Sequence, residues 1–303
     1  MLRSVYSVGV LLICSTTACS EPPAPPAAPD PAWAEGLARF RADEEISIGG
    51  PDGWITLVGR FPLEQGANSV GSDPHSVAVL PSDRAPAQLG SVNVAGDTVT
   101  WSTAAGADVR VDEQAITTRT LNDDSAGKST LLEAGSLRLH VIRRGDVFLL
   151  RARDRDHPAR AAFTGLAWFK PDPSWRVRAR LEPSPPGTTL AIVNVLDQIA
   201  NEPSPGHLVF SVGEKEYRLA ALKGDGAGFF IVFRDQTAGR STYPTGRFLD
   251  APAPDADGSV DLDFNRAYSP PCAFTAFATC PLPPRENSLA LAVEAGEKYA
   301  GKH

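Results

Sequence analysis

Short runs of alternating or β-branched residues, each closed by Gly, Asp or Pro, recur from Trp54 to Asn265 and constrain the fold more than any other feature. The runs "WITLVG", "SVAVLP", "DTVTW", "LRLHVIRR" and "DVFLLRARD" come first. They are followed by "SWRVRARLEP", "TTLAIVNV", "HLVFSVGEKEYRLAAL", "FFIVFRD" and "SVDLDFN". Turn clusters such as "PDG", "AGD" and "RRGD" separate them, and "LVFSVGEKEYRLAAL" reads as a hairpin turning at "GEK". No repeat holds a fixed period, and no interior apolar run is long enough to span a bilayer. Strands at this spacing predict a mostly β protein. An N-terminal β-sandwich is expected over 46–158, followed by a second antiparallel β domain over 159–303 with a Cys/Pro-rich loop. The boundary is drawn where the chain changes character, in "DRDHPARAAFTGLAWF".

One helix stands apart from this pattern. Asp30 suits an N-cap, Pro31 suits the first turn, and Trp33, Leu37 and Phe40 fall on one face. The spacing predicts an amphipathic helix over 31–45 that docks on the body of the protein.

The segment before it reads as an export signal. Arg3 precedes the short apolar run "VGVLLIC", and small residues lead to Cys19, so residues 1–18 are expected to be a signal peptide. The site resembles a lipobox, with Ala18 before the cysteine and Thr16 where leucine is usual. That resemblance implies a lipid on Cys19; ordinary secretion with cleavage at the same place is the alternative. Residues 19–30, rich in Pro and Ala, read as an extended spacer. The expectation is a cell-envelope protein held to a membrane by its N-terminal lipid. Ser20 rather than aspartate points to an outer-membrane lipoprotein facing the periplasm. The net charge of -7 argues against a nucleic-acid partner.

Two families are resembled. The stretch "GANSVGSDPHSVAVLPSDRAPAQLGSVNVAGDTVTW" resembles the early strands of a forkhead-associated (FHA) phosphopeptide-binding domain, which implies a β-sandwich. "GSD" stands where Gly-Arg is expected, "DRAPAQLG" replaces the Ser-Arg-x-x-His segment, and no Asn-Gly loop follows. Phosphothreonine binding is therefore not carried over. The stretches "LAWFKPDPSWRVRAR", "IVFRDQTAGRSTYPTGRFLDA" and "DFNRAYSPPCAFTAFATCPLPPRENSLALAVEAGEK" look like an uncharacterised prokaryotic family, domain-of-unknown-function family 1684. "GSDPHSVAVLP" and "NVLDQIANEPSPGHLVF" extend the resemblance from about Trp54 to Lys298. It implies no activity.

Chemistry must therefore come from residue types. "SPPCAFTAFATCPLPP" is the most unusual segment, and its cysteines are expected to pair after export. A Cys272–Cys280 disulfide would be worth about 2.5 kcal/mol through chain entropy. Zinc is the alternative, but C-x-x-C spacing is absent and the histidines are scattered. A catalytic cysteine would need a base such as His140 or His207, which nothing local supplies. No Walker loop, G-x-S-x-G elbow or G-x-G-x-x-G motif is present, and no cofactor is expected.

Polar residues crowd around these cysteines. Asp263 and Asn265 are placed on one face of the strand "DLDFN", with Tyr268, Glu286 and Asn287 following. Upstream lie Arg234, Asp235, Tyr243 and Arg247. If the two strands pair, these groups converge on one mouth suited to a small-molecule or glycan ligand. The leading expectation is a lipid-anchored, extracytoplasmic binding or accessory protein. The alternatives are a hydrolase using Asp263 or Glu286 with Tyr268 or Arg234, and a purely structural envelope protein.

Overall fold

The computed structural model describes Met1, residues 30–299 and Gly301. The expected signal peptide, Cys19 and the spacer up to residue 29 lie outside the described residues. The chain is mostly β, with one long helix and several antiparallel sheets. Helix α1 spans Pro31–Gly49, four residues beyond the expected end. Asp30 caps it by accepting the Ala32 N–H at 3.0 Å, and Trp33, Leu37 and Ile48 are buried. Among the described residues, no helix is long and apolar enough to cross a membrane.

The first strands are β1 (Leu57–Pro62), β2 (Gly66–Gly71), β3 (Ala78–Val79), β4 (Gly90–Ala95), β5 (Thr98–Thr103) and β6 (Arg110–Val111). They continue as β7 (Gln114–Ala115), β8 (Thr118–Leu121), β9 (Leu132–Ala134), β10 (Leu137–Arg144) and β11 (Val147–Asp154). One sheet runs β1-β11-β10-β9-β6-β7 and the other β3-β2-β4-β5-β8. Alternation decides which side chains meet between them. Leu137, Leu139 and Val141 point inward, as do Phe148, Leu150 and Ala152, and they pack with Val92, Val94 and Trp101 of the facing sheet. The result is a β-sandwich.

The second half holds α2 (Pro158–Ala162), β12 (Ala167–Trp168), β13 (Arg176–Pro183), β14 (Thr189–Val193), β15 (Ile199–Pro203) and β16 (Gly206–Val212). After these come β17 (Lys215–Lys223), β18 (Phe229–Phe233), β19 (Arg247–Ala251), β20 (Ser259–Asp263) and β21 (Glu297–Lys298). The main sheet runs β19-β18-β17-β16-β13-β20, and β14 pairs only with β15 as a separate ribbon. The connection 252–258 joins the two end strands of the main sheet, so that sheet curls around Phe210, Leu219, Ile231, Phe233 and Phe264. The turn at "GEK" joins β16 to β17, which pair from Gly206↔Ala221 to Val212↔Lys215.

A third apolar layer joins the halves. Leu222, Val232 and Phe248 from the curled sheet pack with Ile192, Ala278 and Cys280, and Trp54 leans on them. Arg60, from the outer face of the sandwich, donates to the Ala278 carbonyl at 2.7 Å. The outer face of β1, β11 and β10 is thus covered by protein, not water.

Candidate functional site

The nine polar residues singled out in the sequence do not converge on one mouth. Strand β18 pairs with β17 and β19, whereas β20 pairs with β13, so the two expected partners are not neighbours. Asn265 also leaves the strand face. The strand stops at Asp263, whose carboxylate accepts the Asn265 N–H at 3.1 Å and turns Phe264–Arg266 into a short 3-10 helix.

Most of the nine tie distant segments together. Arg247 and Asp235 form an ion pair at 2.5 Å with both side chains 1% exposed. Arg247 also donates to the Val293 carbonyl at 2.9 Å and to the Ala295 carbonyl, pinning the C-terminal segment against β19. Asp235 in turn accepts from the Thr237 N–H at 2.6 Å. Every charge in this pair is answered.

Asn287 does similar work between strands. Strands β17 and β18 pair at Leu222↔Phe230 and Lys223↔Phe229 and then separate. In the same register Ala220 would face Val232. Asn287 fills that gap, accepting the Ala220 N–H at 2.7 Å and donating to the Ala220 and Val232 carbonyls at 2.9 and 2.8 Å. Asn265 clamps the loop at Asp172, accepting its N–H and donating to its carbonyl, both at 2.9 Å. Asp263 accepts from Trp33 Nε1 at 2.6 Å and so holds α1.

The remaining candidates lie apart. Tyr268 donates to Asp250 at 2.9 Å, and Tyr243 donates to the Cys272 carbonyl at 3.0 Å. Glu286 meets His207 at 2.9 Å near the surface, and Arg234 is exposed. Under α1 sits a cluster of acids. Burial raises Glu297 to about 7, and burial followed by the charges of Glu297 and Asp250 raises Glu44 of α1 to about 7. Among the described residues, no three His, Cys, Asp or Glu side chains are grouped to hold a metal.

Cys272 and Cys280 are neighbours with free thiols. The Cys272 N–H points at Cys280 Sγ, 3.2 Å away. The hydrogen bond between the thiols holds Cys272 down at about 7 and, with burial, pushes Cys280 well above the usual thiol range.

The structure opens a cleft elsewhere, of about 620 Å³. It lies between the β10–β11 turn and the β14–β15 ribbon. Ile192, Leu222, Phe230 and Ile199 form its apolar wall, and its charged groups are Arg144, Lys223, Asp146 and Glu202. The ribbon turn is built by Asn194, whose side chain accepts the Leu196 and Gln198 N–H groups at 2.8 and 3.2 Å. Asp197 takes the left-handed conformation there, with φ 58°. Ile199 is 69% exposed, a large apolar side chain left at the lip of a cleft. The one sequence signal for it is the large apolar residue in the mostly polar "DQIANEP".

A family model described as "Protein of unknown function (DUF1684)" matches residues 161–298. The match begins after the sandwich, whereas the sequence resemblance extends from about Trp54. A solution NMR structure of an uncharacterized protein of Haloarcula marismortui is 34% identical, with 47% of this chain and 80% of that chain covered and a TM-score of 0.39. No curated protein matches the chain.

Proposed function

Since the chain belongs, through residues 161–298, to a family of proteins of unknown function (DUF1684), we propose a function from its geometry: a lipid-anchored, extracytoplasmic binding protein. The sandwich (46–158) and the curled sheet (159–303) act as two domains with the ligand cleft at their junction. The cleft of about 620 Å³ is the observation that carries this reading, because a mostly apolar recess with a few polar groups is the usual form of a small-molecule site. Its chemistry suits an amphipathic molecule. The apolar body would lie on Ile192, Leu222 and Phe230, and an anionic group would face Lys223, since Arg144 is already held by Asp124.

Hydrolysis is the weaker reading. A general base must lie within hydrogen-bond reach of the reacting group and its partners. Asp263, Tyr268 and Glu286 are instead bonded to Trp33, Asp250 and His207, in separate places. The lipid on Cys19 and the outer-membrane location rest on the N-terminal sequence. In an oxidising compartment the adjacent Cys272 and Cys280 would close into a disulfide that staples the Pro-rich loop over the third apolar layer.

Binding of an amphipathic anionic probe, 8-anilinonaphthalene sulfonate, tests the cleft. Native protein should bind it saturably. Ile199→Asp should abolish that binding with an unchanged melting temperature, because Ile199 is exposed. Undiminished binding to the variant would remove the cleft from the account. Mass spectrometry of the mature N-terminus tests the lipid, and an unmodified Cys19 would defeat the anchor.

A further inference from the structure

The outer face of the sandwich carries a row of three basic side chains on adjacent strands. The register sets Arg60 of β1 opposite Arg151 of β11, and Arg151 opposite His140 of β10. Arg60 and Arg151 are directly opposed like charges, which repel and call for a counter-charge. Arg151 stands at its centre and is only 5% exposed. Among the described residues, it has no ion-pair or hydrogen-bond partner, and its Nε is left unbonded. His140, 9% exposed, has an unbonded Nδ1 as well.

The nearby acids are already engaged. Asp124 accepts the Arg143 N–H at 2.8 Å and an Arg144 Nη1–H at 2.7 Å. Asp52 takes Arg155 through both oxygens, at 2.8 and 2.7 Å. Cys280 is held protonated by Cys272 and burial, so no thiolate on it serves as counter-ion. The Trp54 ring, 5.3 Å from the Arg151 guanidinium, offers a cation–π contact. Such a contact is smaller than the penalty of burying most of an unpaired guanidinium, whose Nε has neither exposure to water nor a hydrogen-bond partner among the described residues. The charges of Arg153, Arg144 and Arg60 add to the positive field there, and burial is the largest influence lowering the Arg151 pKa, to about 10.

We propose that the layer between the sandwich and the curled sheet binds a small oxyanion, a carboxylate or phosphate group, on Arg151 with Arg60 and His140 beside it. The guanidinium presents the planar fork that oxyanions accept bidentately. His140, held neutral by burial that brings it to about 3, can donate one ring N–H. The oxyanion arrives as a free ion or as the charged end of a molecule lying in the cleft, whose wall includes Arg144.

Thermal melts of the purified chain, titrated separately with inorganic phosphate and with decanoate, test this. A saturable rise with phosphate that Arg151→Met abolishes and Arg285→Met keeps supports a free-ion site. A rise with decanoate alone, lost in both Arg151→Met and Ile199→Asp, supports the charged end of a cleft ligand. Arg151→Lys keeps the charge but not the fork, and should weaken whichever probe binds at least tenfold. That variant decides the matter if Arg151→Met fails to fold. The proposal is overturned if neither probe moves the wild-type melt, or if Arg151→Met responds as wild type does. A decanoate response lost only in Ile199→Asp would keep the cleft and discard the oxyanion site.

Discussion

Arg247 and Arg151 are both buried, at 1% and 5% exposure, yet their surroundings are opposite. Arg247 has an aspartate at 2.5 Å and two carbonyls, and it joins the C-terminal segment to the curled sheet. Arg151 has an aromatic ring and positive neighbours. A buried charge with all its partners present is part of the scaffold. A buried charge without them marks a place where the protein alone is incomplete. The comparison also separates two kinds of polar crowding: the dense C-terminal cluster is bonded within itself and to distant segments, whereas the sparse row on the sandwich leaves Arg151 without a partner among the described residues.

The largest effect should come from breaking the complete pair. Arg247→Met leaves the Asp235 carboxylate buried without its cation, which costs about 3–5 kcal/mol and should lower the melting temperature by on the order of 10 °C. Adding Asp235→Leu should restore much of that loss, since removing both charges leaves no orphan. Calorimetry on the two variants measures it. Asn287→Ala comes next. It strips partners from Ala220 and Val232 inside the sheet and should cost about 1–3 kcal/mol, read by denaturant unfolding.

A pH effect follows from the acids under α1. Glu44 and Glu297 are raised to about 7 in the folded protein, above the usual carboxyl value of 4.5. Between those values the folded state holds protons that the unfolded chain has released. Their contribution to stability is therefore complete below about pH 4.5 and is lost as pH rises through about 7. Glu44→Gln should melt like wild type near pH 4 and above it at pH 8. The smallest effect belongs to the exposed His207–Glu286 pair, where Glu286→Ala should change stability by less than about 0.5 kcal/mol. A loss as large as that of Asn287→Ala would show that surface and buried polar groups are not distinguished as described.

The sequence carried the fold further than the site. Alternation in "LRLHVIRR" and "DVFLLRARD" separates Leu137, Leu139 and Leu150 from Arg138, His140 and Arg151, and the structure keeps that division. Asp30 and Pro31 mark the start of α1 because capping is local chemistry. The site was hidden because its contacts are not local. Trp33 meets Asp263 across 230 residues, and Asn287 meets Ala220 across 67. Residue type and crowding showed that Asp263 and Asn287 were unusual without showing that each had a distant partner. The basic face of β10 and β11 has the pattern of a solvent face, and periodicity says nothing of the later part of the chain that covers it.

Arg151 should behave as a buried cation that no described side chain pairs. The direct measurement is the melting temperature of Arg151→Met in buffer free of oxyanions, beside wild type and Arg247→Met. An unpaired buried guanidinium predicts that Arg151→Met melts at or above the wild-type temperature while Arg247→Met falls by on the order of 10 °C. A comparable fall in Arg151→Met would contradict it, and would make Arg151 as much a part of the scaffold as Arg247.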